Sequence, residues 1–221
     1  MRRATFLFVA FLAAAYTPHA LCEPRPPQST RVVDRIAARI EGDIILQSQV
    51  RELGAFQELV EGHAESDGKL LDELIEQWVV ETEASASHFP QPAISEVDRE
   101  LGRIQQTFAS PEKYVARLNE LGLSAAQARE TLVRQIYVER YVDYKFRPSV
   151  RIEPADIDAY YKNELLPELA KNNQPDPDRA AVEEKIRELL IQRAISDLTV
   201  KWLDDTKSRL RIEIVPPGGK P

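Results

Sequence analysis

The chain has 221 residues, with 29 lysines and arginines against 36 aspartates and glutamates, a net charge of −7. That balance argues against nucleic acid or an anionic membrane surface as a partner. A single cysteine, Cys22, cannot form an internal disulfide, yet a chain of this length can bury a core without such staples.

The chain begins MRRATFLFVAFLAAAYTPHALC. Arg2 and Arg3 precede an apolar run from Ala4 to Tyr16, and Ala20 and Cys22 are small residues at the −3 and −1 positions of a cleavage site. The pattern is that of a secretory signal over residues 1–22, cut between Cys22 and Glu23; the run is too short for a membrane span. An acylated Cys22 is the alternative fate. Export to the periplasm as a soluble protein is the expectation. Removing Arg2 and Arg3 leaves 27 basic against 36 acidic residues, with His63 and His88 as the remaining histidines. Two isolated histidines and no cysteine offer no zinc ligand set. The eight glycines never form a dinucleotide fingerprint, a phosphate loop or a nucleophile elbow. No cofactor, metal, nucleotide or catalytic residue is therefore expected.

Residues 23–31 form an extended linker, because Pro24, Pro26 and Pro27 suit neither helix nor central strand. VDRIAARIEGDIILQSQV then reads as a hairpin turning at Gly42. Ile36, Ala38 and Ile40 share a face that Ile44 and Leu46 continue, with Arg35 and Arg39 on the other. Ser48 is placed to cap a helix carrying Val50, Leu53, Phe56, Leu59 and Val60, closed by Gly62. A second helix from about Asp67 presents Leu70, Leu71, Leu74, Ile75, Trp78 and Val79, and dissolves into ASASHFPQP. Phe89 in that turn is expected as a lid on the core or an exposed aromatic. Ser95 with Asp98 resembles a capping box opening a helix with Val97, Leu101, Ile104 and Phe108. Ser110-Pro111 starts another helix, ending at Gly122, and Ser124 with Gln127 opens a long one that runs to Phe146.

Pro154 and Asp156 begin a short helix bearing Ile157, Tyr160 and Tyr161, of which one tyrosine is expected inside and the other exposed. Residues 166–178 read as a proline-punctuated loop. Val182, Ile186, Leu189, Leu190, Ile195, Leu198 and Trp202 mark the longest helix, about 45 Å long, which must bridge other parts. The chain closes with RLRIEIVPP, whose strand period supplies a third strand for the hairpin, before a 216–221 tail. The fold expected is mainly α, with a small antiparallel sheet joining the two ends of one discontinuous domain, residues 32–215, made of a helical part (32–165), the loop, and a closing helix and strand (179–215).

This order of parts resembles the N-terminal chaperone region of the SurA-like periplasmic chaperones. The resemblance rests on VVDRIAARIEGDIILQSQV, LLDELIEQWVVETEA, ISEVDRELGRIQQTF, SPEKYVARLNELGLSAAQARETLVRQIYVERYV and VRIEPADIDAYYKN, and covers nearly all of the chain after the signal. It implies an ATP-independent chaperone for unfolded outer-membrane or secreted polypeptides. Relatives that isomerise prolyl bonds carry a parvulin domain after the helix containing the two tyrosines. Here only Lys162 to Asp178 fills that interval, well below the roughly 50 residues a domain needs. The resemblance thus implies a chaperone core and no enzyme, with a peptidyl-prolyl isomerase, or a scaffold for one folded envelope partner, as alternatives. A chaperone needs adaptable apolar surface. Tyr137, Tyr141 and Tyr144 at i, i+4 and i+7, with Phe146 and Tyr161, are the candidates for contacting unfolded polypeptide, against the plainer reading that the tyrosine stripe is core. A homodimer exchanging the long C-terminal helix is a further expectation.

Overall fold

The structure is a computed structural model that describes residues 34–216. The signal sequence, its cleavage at Cys22 and Glu23, the whole 23–31 linker and residues 217–221 of the tail lie outside the described residues.

Strands β1 (Ile36–Ile40) and β2 (Asp43–Leu46) pair antiparallel around Glu41 and Gly42. Both turn residues have positive φ, 50° and 112°, which matches the twist of a hairpin and is free of strain for glycine. A two-residue turn sets parity. Ile40 lies opposite Asp43, Arg39 opposite Ile44 and Ala38 opposite Ile45. Ile45 therefore joins the buried face, and Ile44 points to solvent, 50% exposed, contrary to the expected alternation. A bulge at Ala37 then realigns Ile36 with Leu46.

Strand β3 (Ile212–Ile214) pairs antiparallel with β1, placing Ile214, Glu213 and Ile212 against Ala38, Arg39 and Ile40. The strand order is β2-β1-β3, so the strand from the start of the described chain is the central one. Glu41 N–H donates to Arg211 O at 3.2 Å and Val215 N–H to Ala37 O at 2.8 Å, extending the ladder at both ends. The sheet's inner face packs on helices α1 (Gln47–Glu61) and α2 (Asp67–Ala86), where Val50, Leu53, Leu70, Leu74 and Ile75 complete one core cluster. Trp78 is half-buried at its margin, its indole Nε1 donating to Asp43 Oδ2 at 3.0 Å.

Helix α1 starts one residue before the expected cap. Ser48 lies in the first turn, and its N–H donates to Asp34 Oδ1 at 3.3 Å while Leu46 N–H donates to Gln49 Oε1 at 2.7 Å. The free amides of the helix start are thus met by neighbours other than Ser48. Gly54 faces α2, where a Cβ would stand 2.9 Å from Leu70 Cδ1; glycine permits that close crossing.

Helices α3 (Ile94–Gln106), α4 (Pro111–Glu120) and α5 (Ala125–Phe146) form the helical middle. Helix α3 follows Ala93, so Ser95 sits inside it and caps nothing. Ser110 caps α4, accepting from Lys113 N–H, and Ser124 with Gln127 forms the expected capping box of α5. Phe56 and Leu59 of α1 join Val97, Ile104, Leu118, Leu132 and Ile136 in a second core cluster.

Beyond α5, a 3-10 turn (Arg147–Ser149) and four residues without regular structure lead to α6 (Pro154–Tyr160). The chain then stays helical: a π turn (Tyr161–Leu165) runs into α7 (Leu166–Lys171). This corrects the expectation of a loop over 166–178, which holds only from Asn172. Pro167 stands in the first turn of α7, directly after the π turn. The π turn before it closes with Leu166 N–H donating to Tyr161 O.

Helix α8 (Arg179–Lys207) is 29 residues long, with the Asp178 side chain accepting from Ala180 N–H at 3.3 Å. Only Ile186, Ile195 and Leu203 are buried on it. Leu189 and Leu198, expected in one apolar register with them, are exposed. Ile186 and Ile195 are nine residues apart, about two and a half helical turns, so they lie on opposite faces. Accordingly α8 packs on α6 and, by another face, on α5 and α2. The described chain from Asp34 onward is one compact unit, mainly α with a three-stranded antiparallel sheet.

Candidate functional site

A cleft of about 1020 Å³ opens between α3, α5, the end of α1 and the middle of α8. Its floor is apolar, made by Phe56, Ile104, Leu132, Ile136 and Ile195, with Val60, Phe89 and Tyr144 rising at the sides. Helix periodicity builds the rim. Glu96, Arg99, Glu100 and Arg103 fall at i, i+3, i+4 and i+7 on α3, and Arg140, Asp143 and Arg147, with Glu139 beside them, fall at i, i+3 and i+7 at the end of α5 and just beyond it. Four basic and four acidic side chains make that rim electrically neutral, although the chain as a whole is acidic.

Pairing around the rim is specific. Within α3, Arg103 meets Glu100 at 2.9 Å. Arg140 lies with its guanidinium 5.6 Å from the centre of the Phe89 ring, an attraction between cation and π face. Its Nη1 stands 3.4 Å from Glu96 Oε2, near enough for ion pairing, but that buried atom has no well-directed hydrogen bond. Arg147 is the best satisfied: Nε donates to Asp143 at 2.9 Å, and Nη1 and Nη2 reach Glu188 at 3.0 and 2.7 Å. Hydrogen bonds from Arg147, then from Gln192, hold the Glu188 carboxyl at about 2, well below its ordinary 4.5. Arg147 is raised in turn, by Glu188 first and Asp143 second.

The aromatic stripe of α5 divides at the edge of the cleft. Tyr137 and Tyr141 are only 5% and 3% exposed, packed with Val79, Val80, Ala84 and Leu203 in a third core cluster. They present no surface, which corrects the reading of the whole stripe as a contact face. Tyr144, one turn further on, is 64% exposed and lines the cleft. The reason is the length of α2: it covers Tyr137 and Tyr141 but stops at Ala86, leaving Phe89 as the cover beyond. Phe89 packs against Tyr141 and Tyr144 with ring centres 5.3 and 5.2 Å apart, and its carbonyl accepts from the Tyr137 hydroxyl at 3.3 Å.

Phe146 and Tyr161 do not line the cleft. Phe146 is half-buried, edge-on to Trp202 at 5.8 Å, with Lys145 Nζ 4.8 Å above the Trp202 ring. Tyr161 is half-buried and donates its hydroxyl to Pro177 O at 2.7 Å, pinning the loop before α8. Tyr160 is half-buried as well, beneath the Arg193 guanidinium at 5.0 Å. Neither tyrosine is exposed, because α8 covers one and the 172–178 loop engages the other.

Arg140, Arg147 and the charged face of α3 are the cleft residues not singled out from the sequence, as is Glu188, the partner of Arg147. Charges at helical spacing are ordinarily solvated surface. The signal available was their repetition: Glu96, Arg99 and Arg103, and again Arg140, Asp143 and Arg147, carry mixed charge at i, i+3 and i+7. No helix among the described residues is long and apolar enough to cross a membrane. No protein-family model matches the chain, and no curated protein matches it.

Proposed function

We propose that this protein is an exported, ATP-independent chaperone of the SurA-like kind that holds non-native polypeptide segments in the cleft between its helical middle and α8. The observation that carries this reading is the cleft's construction. At about 1020 Å³ it stands at the upper end of the range for small-molecule pockets, and its floor is apolar without a convergent set of polar groups that would orient one small ligand. A neutral rim of paired charges keeps such a surface hydrated and lets it accept segments of either sign. Contact comes from burial of apolar side chains against Val60 and Tyr144, the exposed apolar residues of the cleft, at about 25 cal/mol for each Å² removed from water. Release follows from the same equilibrium.

The test is suppression of aggregation of an urea-unfolded outer-membrane protein on dilution, with the full chain in excess and no nucleotide. The expected result is dose-dependent suppression, weakened by Tyr144→Ala. Failure to protect unrelated unfolded chains while one native protein co-purifies would replace the reading with a dedicated scaffold. Turnover of a prolyl peptide by the purified chain would overturn the non-enzymatic assignment.

A further inference from the structure

Helix α8 is held to the body by few apolar side chains and many charges. Of its 29 residues three are buried, and its apolar positions Leu189, Leu198 and Val200 are exposed. Its far end is anchored: Leu203 lies in the third core cluster, Trp202 packs beside it, and Lys207 Nζ meets Glu76 at 2.6 Å. Its near half belongs instead to a helical arm. There Arg179 pairs with Asp158 and Arg193 with Glu164, and Arg187 donates to Ile152 O. The buried apolar side chains of that arm are Ile157 and Ile186. Each of those polar ties joins one part of the arm to another. The Arg147–Glu188 pair differs, because it crosses from α5 to α8 at the edge of the cleft, with Asp143 behind Arg147 and Gln192 behind Glu188. Next to it the backbone leaves α5 through a 3-10 turn and four irregular residues, the kind of element-terminal stretch that absorbs hinge rotation.

We propose that residues 150–193 form a movable arm at the edge of the cleft, which it touches through Gln192, latched shut by Arg147 and Glu188 and opened when that pair is screened or broken. The latch combines a forked guanidinium with two carboxylates, a geometry that closes in one orientation only. Both sides of it are open to solvent, Arg147 and Glu188 keeping 38% and 48% of their side-chain surface, so its strength depends on salt. The arm has little apolar burial with which to resist. Access of a polypeptide to the cleft is then set by ionic conditions and by competing charge on the arriving segment. That consequence rests on the polypeptide-binding reading, whereas the movement itself does not.

The experiment uses the full chain with Cys22→Ser and spin labels at Gln106→Cys on α3 and Lys185→Cys on α8, both exposed positions, read by pulsed dipolar spectroscopy. A single distance at low salt is expected to gain a longer component in about 1 M salt, where the Debye length is about 3 Å. Glu188→Gln at low salt should do the same, raising the open fraction about two- to fivefold, the range one exposed ion pair can give. Arg193→Gln, which cuts a tie within the arm, should leave the distance unchanged. A leucine- and phenylalanine-rich fluorescent peptide should associate faster with Glu188→Gln than with the parent. Distances that ignore both salt and Glu188→Gln would overturn the latch, as would equal opening by Arg193→Gln. Distances that respond while the peptide fails to bind would leave the latch standing and remove the chaperone reading of the cleft.

Discussion

Two tyrosines three residues apart show how much a side chain's meaning depends on what lies above it. Tyr141→Ala empties a fully covered site and should lower stability by about 3–5 kcal/mol, the usual range for a buried aromatic, seen as a large fall in urea midpoint. Tyr144→Ala removes an exposed ring and should change stability by no more than about 0.5 kcal/mol, while weakening retention of unfolded polypeptide. The sequence made the two equivalent, because helical spacing records direction and not cover; only the end of α2 at Ala86 separates them. Glu73 offers a second test. Burial raises its carboxyl above 4.5, and it accepts from Gln57 and Gln77 while Gln77 Oε1 stays buried without a partner. A carboxyl raised in the folded state loses stability as pH rises from the unfolded value through the folded one. Glu73→Gln removes that penalty and supplies a donor for Gln77. It should stabilise the protein by roughly 1 kcal/mol at neutral pH, a gain that disappears below about pH 4, as thermal melts across pH would record. Glu188 runs the other way. Its lowered carboxyl contributes fully above pH 4.5 and loses its contribution as pH falls towards 2, so the labelled arm should open on acidification through that window.

Among the elements, β1 is the one whose neighbours decide its fate. The third strand was legible from RLRIEIV because a lone hairpin is marginal in water and the closing alternation had no other edge to join. Deleting residues 209–215 removes every bond that β3 makes to β1 and should reduce hydrogen-exchange protection across Ile36 to Leu46; unchanged protection would refute the pairing's importance. The same hairpin marks where pattern failed. Assigning Ile44 to the core required a loop of odd length, and the two-residue turn at Glu41 and Gly42 transfers that role to Ile45. Helix α7 was hidden by Pro167, which reads as a breaker unless the turn before it already has π geometry. Helix α8 was legible in existence and length, but not in facing, since its two halves serve different neighbours. The cleft itself could not be read from periodicity, because its wall comes from four elements whose charged residues look like ordinary solvated faces one helix at a time.

At the scale of the whole molecule, three core clusters support the body while the arm rests on Ile157 and Ile186. Native-state hydrogen exchange should therefore find amides of α6 and the first half of α8 opening at lower free energy than those of α2 and α5. Exchange of the arm only together with the body would contradict that division. The pairing of β1 with β3 also orders events in time. Ala38 and Ile214 lie opposite each other, yet a ribosome adding about 5–20 residues per second makes Ile214 roughly 10–35 s after Ala38. Throughout that interval one edge of the central strand waits for a partner not yet made, and the sheet becomes complete only once Ile214 has emerged.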